Sequence, residues 1–187
     1  MTDGNWFHLD QSYAEKPRFD TVQGLLNFFP TTAQSGSTVV VPRSHHEFQR
    51  ICADKPAKGS FVRLTSAADR AYCRERAVMV LLGPGDLCLW DSRTVHCSSG
   101  VDAACSSVSE ALPGRERAPL ARLVAYISML PRRSLGMTDH DRQKVEAARR
   151  RAVAIGLGSG HDPRRVRTRS QPRAGYKPPV NVLWDLV

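Results

Sequence analysis

The sequence is poor in several things, and each shortage excludes a class of protein. Its five cysteines, Cys52, Cys73, Cys88, Cys97 and Cys105, are odd in number and show no C-x-x-C spacing. A zinc ribbon or a disulfide framework therefore does not fit, and a reducing, cytoplasmic compartment is the expectation. No apolar run approaches the ~20 residues that cross a bilayer. Met1–Asp10 has neither the basic nor the apolar region of a secretory signal. Aromatic residues make up 7% of the chain, and none interleaves the basic cluster Arg164, Arg165, Arg167, Arg169, Arg173 as a single-strand nucleic-acid binder would need. Lysine is scarce: 5 of the 27 basic residues, the other 22 being arginine.

What is present is a chain of 187 residues, 41% hydrophobic, with a net charge of +9. That length suits one domain of ordinary size. Runs such as Val39-Val40-Val41 and Val78-Met79-Val80-Leu81-Leu82 need burial, so the chain is not disordered throughout. The charge admits a nucleic-acid or anionic partner, but a solvated arginine-rich face accounts for it without one.

Short β-rich runs with turn residues between them dominate the first two thirds. Trp6–Asp10, Val22–Phe29, Ser37–Val41, Ala77–Leu82, Leu87–Trp90 and Leu123–Leu130 read as strands, and Gly83-Pro84-Gly85-Asp86 reads as a turn between two of them. Ser44, with Glu47 three residues on, suggests a capping box opening a short helix through Cys52. Ser66–Arg76 is a second helical candidate. A third starts at Thr138: Asp139 and Asp141 stand in its first turn, Arg149–Arg151 near its end and Gly156 beyond, an order that suits the helix dipole. Residues 157–179 read as an exposed loop, and Val180–Val187 as a segment docking back on the body. Many short strands with few peripheral helices point to an antiparallel sandwich or jelly roll.

The chemistry-bearing feature is His8-Leu9-Asp10 together with His96. Side chains two apart on a strand share a face, so His8 and Asp10 project together while Leu9 points away. His96 follows the run Leu87–Trp90. If the two strands meet, two imidazoles and a carboxylate converge, which is the ligand set of non-haem ferrous oxygenases with coordination positions left open. The simpler reading of His8 and Asp10 is a hydrogen-bonded pair at a strand end. Gln23 and Asn27 are amides on one face of an apolar strand; they either line a pocket or make structural hydrogen bonds. His45 and His46 belong to a helix start rather than a metal site, and His140 and His161 to solvated positions.

Three blocks carry a resemblance: Trp6-Phe7-His8-Leu9-Asp10-Gln11; Val22–Asn27 with Ser35-Gly36-Ser37-Thr38-Val39-Val40-Val41-Pro42-Arg43-Ser44-His45; and Gly85-Asp86-Leu87-Cys88-Leu89-Trp90-Asp91-Ser92-Arg93-Thr94-Val95-His96-Cys97-Ser98. With these blocks the chain resembles the phytanoyl-CoA dioxygenase-like family of Fe(II)/2-oxoglutarate-dependent oxygenases over roughly residues 5–130. The resemblance implies a mainly β, double-stranded β-helix (cupin-like jelly roll) core over residues 1–135. Residues 136–187 would then hold the C-terminal helix, the basic loop and the docking segment.

The resemblance also implies His8, Asp10 and His96 as ligands of Fe(II), with 2-oxoglutarate as co-substrate. The reaction it implies is hydroxylation of a small organic substrate by dioxygen, with decarboxylation of 2-oxoglutarate to succinate. The co-substrate's far carboxylate needs a buried arginine, whose planar fork bonds it twice. Arg122, opening the strand after His96, takes that role, with Arg93, Arg115 and Arg117 as rivals. Ser98, two residues past His96, would add a hydroxyl, and Gln23 and Asn27 would line the co-substrate pocket.

The chain departs from the family pattern in three places. Only seven residues precede His8, which suggests a β-helix short of its N-terminal part with an open sheet edge. Val101–Ala121 is a long excursion before Arg122, and Arg43 stands where the family has glycine. The shortened start keeps a second reading open, a non-catalytic β-helix that binds a ligand or partner. The basic residues between 142 and 173 keep a third, a nucleic-acid-binding module.

Overall fold

In the computed structural model the described residues are 6–55, 59, 61–100, 122–131 and 138–154. They form eight strands: β1 His8–Leu9, β2 Val22–Asn27, β3 Thr38–Val40, β4 Val62–Arg63, β5 Val78–Met79, β6 Leu87–Asp91, β7 His96–Ser98 and β8 Val124–Met129. A 3-10 turn at Ser44–Glu47 leads into α1, Phe48–Cys52; α2 is Ala67–Arg76 and α3 is Asp139–Ala154. The strands make two sheets, in the orders β4-β1-β7-β3-β5 and β6-β2-β8. The fold is mainly β, an open double-stranded β-helix of jelly-roll type, with few helices. The chain divides into two units, Met1–Ile127 and Ser128–Val187.

Register decides which side of the larger sheet does what. His8 pairs with His96, Val40 with His96 and Thr38 with Ser98, so His8, His96, Ser98, Thr38 and Val40 share one face. The alternate residues point the other way, where Leu9 pairs with Val62 and Val39 with Cys97. That second face is the apolar one. Phe7, Leu9, Val41, Val62, Leu64, Val95 and Cys97 pack there with Phe48 and Ile51 of α1 and Cys73 of α2. Each large aliphatic side chain fully buried in this cluster stabilises the fold by about 1.5–3 kcal/mol. The hydrophobic core thus lies between the larger sheet and α1 and α2, leaving the opposite face free for polar groups.

Local chemistry fixes the outer helices. Ser66 Oγ accepts from Asp69 N (3.0 Å) while Ser66 N donates to Asp69 Oδ2 (3.3 Å), a reciprocal cap on α2. Lys55 Nζ lies 2.7 Å from Asp69 Oδ2. Tyr72 Oη donates to Glu47 Oε1 (2.7 Å), and the guanidinium carbons of Arg50 (5.0 Å) and Arg76 (4.6 Å) lie over its ring.

The capping box expected at Ser44 does not form. Arg43, in the left-handed region at φ 65°, precedes the turn, and no side chain caps it. The Ser44 hydroxyl instead accepts from the backbone N–H of Val95 (2.8 Å), 51 residues away, bracing the strand that carries His96. The Gly83–Asp86 turn forms as expected, with Gly85 at φ 88° and Asp86 Oδ2 accepting from Gly83 N (2.7 Å).

In the second unit, α3 begins at the expected cap. Thr138 Oγ1 accepts from Asp141 N and Asp141 Oδ2 accepts from Thr138 N, both at 3.1 Å. Arg150 pairs with Glu146 one turn back (2.6 Å). Arg149–Arg151 therefore have a structural account within a capped helix. Among the described residues no helix is long and apolar enough to cross a membrane. The expectations for Val101–Ala121, 157–179, Val180–Val187, Arg115, Arg117 and His161 lie outside the described residues.

Candidate metal centre

β1 carries His8, and Asp10 follows two residues later on the same face. β7 carries His96 directly across from His8. One ligand atom from each of His8, Asp10 and His96 lies within 4.8 Å of the other two. Asp10 Oδ1 is 3.9 Å from His8 Nε2, and Asp10 Oδ2 is 3.4 Å from His96 Nε2. The side chains are 3–8% exposed, so whatever holds them together does so with little help from water.

Ring orientation is set by the backbone. His8 Nδ1 contacts the Trp6 carbonyl at 3.2 Å, and His96 Nδ1 contacts the Thr94 carbonyl at 2.9 Å. A carbonyl only accepts, so both Nδ1 atoms carry the proton. In the neutral rings the Nε2 lone pairs then face the carboxylate. With both rings neutral, two imidazole lone pairs and a carboxylate converge on one point, an arrangement a cation would suit. Partners on the remote ring nitrogens are the usual way ligating histidines are aimed. Aromatic rings close the sides: Trp6 stacks on His8 (4.4 Å, 4°), Phe61 tilts against it (4.9 Å), and Trp90 lies against His96 (5.1 Å). Nitrogen and oxygen donors in a two-to-one ratio suit a divalent transition ion such as ferrous iron. Among the described residues this is the one such cluster. The rings of His45 and His46 lie tilted against each other in the 3-10 turn (4.0 Å, 38°) and take no part.

The remaining site residues fall into two groups. Arg122, just before β8, donates from Nη2 to Thr38 Oγ1 (3.0 Å), while its Nε is buried with no hydrogen-bond partner. Thr38 pairs with Ser98, which lies on the His96 face two residues along, about 7 Å up the strand. The structure thus puts Arg122 and Ser98 beside Thr38 on the histidine face of the sheet. Arg93 is committed elsewhere, its Nε and Nη2 forked onto Asp91 at 2.9 and 2.6 Å.

The two amides separate. Asn27 Nδ2 donates to the carbonyls of Leu82 and Gly83, both at 3.1 Å, and also reaches that of Phe29; it ties β2 to the turn before β6. Gln23 Nε2 donates to Asp10 Oδ2 (3.0 Å), and Gln23 Oε1 accepts from Trp90 Nε1 (3.1 Å). These contacts carry the smaller sheet's side chains to the histidine face of the larger one.

Two residues have roles that the sequence does not announce. Gln11 donates from Nε2 to the carbonyls of Lys16 and Arg18 (2.6 Å each) and accepts from Ser92 Oγ (2.6 Å), holding the loop that follows Asp10. Trp6 Nε1 is buried without a partner beside His8. A polar residue directly after H-x-D was the one available signal for Gln11.

A jelly roll with two histidines and an aspartate on its inner face defines the class of Fe(II)/2-oxoglutarate oxygenase folds. Residues 2–106 match the family model for phytanoyl-CoA dioxygenase (PhyH), and the chain belongs to that family. Two solved structures of EctD from S. alaskensis are similar to it. The one with 2-oxoglutarate and 5-hydroxyectoine is 18% identical (TM-score 0.37, 52% of this chain and 33% of that one). The apoform is 17% identical (TM-score 0.36, 51% and 33%). The aligned part thus spans about a third of the length of those chains. No curated protein matches the sequence.

Proposed function

We propose that the protein is an Fe(II)- and 2-oxoglutarate-dependent dioxygenase that hydroxylates a small organic substrate. The observation that carries this reading is the convergence of His8, Asp10 and His96, with ligand atoms inside 4.8 Å of one another. These three residues would hold the ferrous ion. Bound there, iron and 2-oxoglutarate supply the oxidising chemistry, in which dioxygen converts the co-substrate to succinate and carbon dioxide and oxygenates a C–H bond.

The protein's own part is binding and orientation. Three ligands leave coordination positions open for co-substrate and dioxygen. Trp6, Phe61 and Trp90 keep water from the rings and fix their planes. Arg122 supports the co-substrate assignment: a guanidinium with one hydrogen bond and a buried, unpartnered Nε suits a carboxylate that accepts two parallel bonds. Thr38 and Ser98 would share that carboxylate.

The test is anaerobic addition of Fe(II) and then 2-oxoglutarate. A weak visible charge-transfer band is expected in the wild type and absent in His96→Ala. Folded wild-type protein that binds iron and 2-oxoglutarate without the band would overturn the assignment. Succinate formed under air, coupled to substrate, separates the oxygenase from a β-helix that only binds.

A further inference from the structure

Gln23 and Trp90 face each other directly across β2 and β6, so their side chains rise from the same face of the smaller sheet. Both reach the metal centre, but neither offers it a ligand atom. Trp90 Nε1 donates to Gln23 Oε1 (3.1 Å), and Gln23 Nε2 donates to Asp10 Oδ2 (3.0 Å). The direction of this chain is fixed chemically. An indole N–H can only donate, so the glutamine must turn its carbonyl oxygen to Trp90 and its NH2 to the carboxylate. A carboxylate, in turn, can only accept. Each member therefore has one possible role, and the glutamine, only 3% exposed, has no competing water in bulk.

Two consequences meet at Asp10. Its Oδ2 already accepts a bond from Gln23, so rotation of the carboxylate about its last bond breaks that contact. The Trp90 ring also lies 5.1 Å from the His96 ring, so the residue that orients the amide packs on a second ligand. We infer that Trp90 and Gln23 form a positioning relay that sets the rotation of the Asp10 carboxylate toward the two imidazoles. This inference rests on the metal reading above and adds to it: the third ligand is aimed from the opposite sheet, through a tryptophan that touches no reacting atom.

The test is Co(II) binding by calorimetry, with the visible Co(II) bands as a report on ligand arrangement. It uses the wild type, Gln23→Leu, Trp90→Phe and the double variant. Loss of an orienting hydrogen bond to a ligand typically weakens metal binding about 10–100-fold. Gln23→Leu should lose affinity in that range and shift the bands. Trp90→Phe removes the N–H together with part of the indole but leaves an aromatic ring beside His96, so it should lose less, with a band shift in the same direction. The double variant should be no weaker than Gln23→Leu, since the indole N–H acts only through the amide.

A relay variant that merely destabilised the fold would lower the apo melting temperature and leave the bands of its bound Co(II) unchanged. That outcome, wild-type affinity in both single variants, or fully additive losses would overturn the relay. Failure of the wild type to bind Co(II), or retention of full affinity in His96→Ala, would overturn the metal reading and the relay with it. Wild-type binding that requires His96 but ignores Gln23 would overturn the relay alone.

Discussion

Arg122→Met removes a cation whose surroundings give opposite expectations for the protein alone and for the protein with co-substrate. Alone, Arg122 makes one hydrogen bond, Nη2 to Thr38 Oγ1 at 3.0 Å, and leaves a buried Nε unmatched. The lost bond costs about 1.5–3 kcal/mol, and relief of the unsatisfied donor returns about 1–3 kcal/mol. Methionine also refills much of the apolar stem. The two effects nearly cancel, so apo stability should change by no more than about 1 kcal/mol, roughly 2–4 °C in melting temperature for a chain of this size. Co-substrate binding has no such compensation. Two charge-assisted bonds to a carboxylate are worth at least about 3 kcal/mol together, so 2-oxoglutarate should bind about 100-fold more weakly or worse. The assay pairs apo thermal melts with 2-oxoglutarate titration of the Co(II)-loaded protein. Arg122→Lys, a point charge without the fork, should fall between. A fall of more than about 10 °C in the apo melt, with unchanged 2-oxoglutarate affinity, would refute the reasoning. It would mean that the guanidinium already has its anion within the chain, since stripping one partner from a buried ion pair costs about 3–5 kcal/mol.

Three further outcomes follow from particular contacts. Gly24→Ala should destabilise by about 1–3 kcal/mol in denaturant melts, because an added Cβ would lie 2.5 Å from the Cys88 carbonyl oxygen and from Leu89 Cδ2; wild-type stability would show that β6 yields freely. Arg43→Gly should stabilise by up to about 1 kcal/mol, since Arg43 holds φ 65°, a conformation costing a non-glycine residue about 1–2 kcal/mol, partly offset by glycine's greater backbone entropy; a loss of stability would count against the strain. The Tyr72 hydroxyl is pushed up to about 12 by burial and by its bond to Glu47, so the fold favours the neutral phenol. That contribution is complete below about pH 10, the unfolded value, and is lost as pH rises towards 12. Tyr72→Phe should accordingly flatten the alkaline fall in stability seen by denaturant titration, and an unchanged fall would contradict this.

Much of the fold was legible because parity and turn chemistry act locally. All six predicted strand runs contain a strand, and the Gly83–Asp86 turn and the Thr138 cap needed only neighbouring residues. H-x-D announced its shared face by the two-residue period alone, but His96 does not ride on the Leu87–Trp90 run: that run is β6 of the smaller sheet, and His96 stands on β7 of the larger one, a strand not among the predicted runs. What stayed illegible depends on register between distant segments. Ser44 reads as a helix cap, but its hydroxyl is engaged by Val95 N, a donor that no local pattern reveals. Gln23 and Asn27 look alike in sequence, two amides on one face of one strand. Only the cross-strand pairing of Gln23 with Trp90 and the approach of the Leu82–Gly83 carbonyls to Asn27 separate a group that reaches Asp10 from one that closes a turn. The location of the apolar core was hidden for the same reason. Half of α2 is charged, and Cys73 is its single fully buried apolar side chain, so its sequence gives little sign that it covers the sheet.

The most direct measurement is X-ray absorption at the iron edge of anaerobically loaded protein, before and after 2-oxoglutarate. The expected first shell contains two imidazole nitrogens and one carboxylate oxygen from the chain, with the remaining oxygen or nitrogen scatterers exchanging when co-substrate is added. His8→Ala and His96→Ala should each remove one imidazole. A centre with sulfur scattering, or one whose imidazole count is untouched by both substitutions, would contradict the assignment of His8, Asp10 and His96 as the iron-binding set.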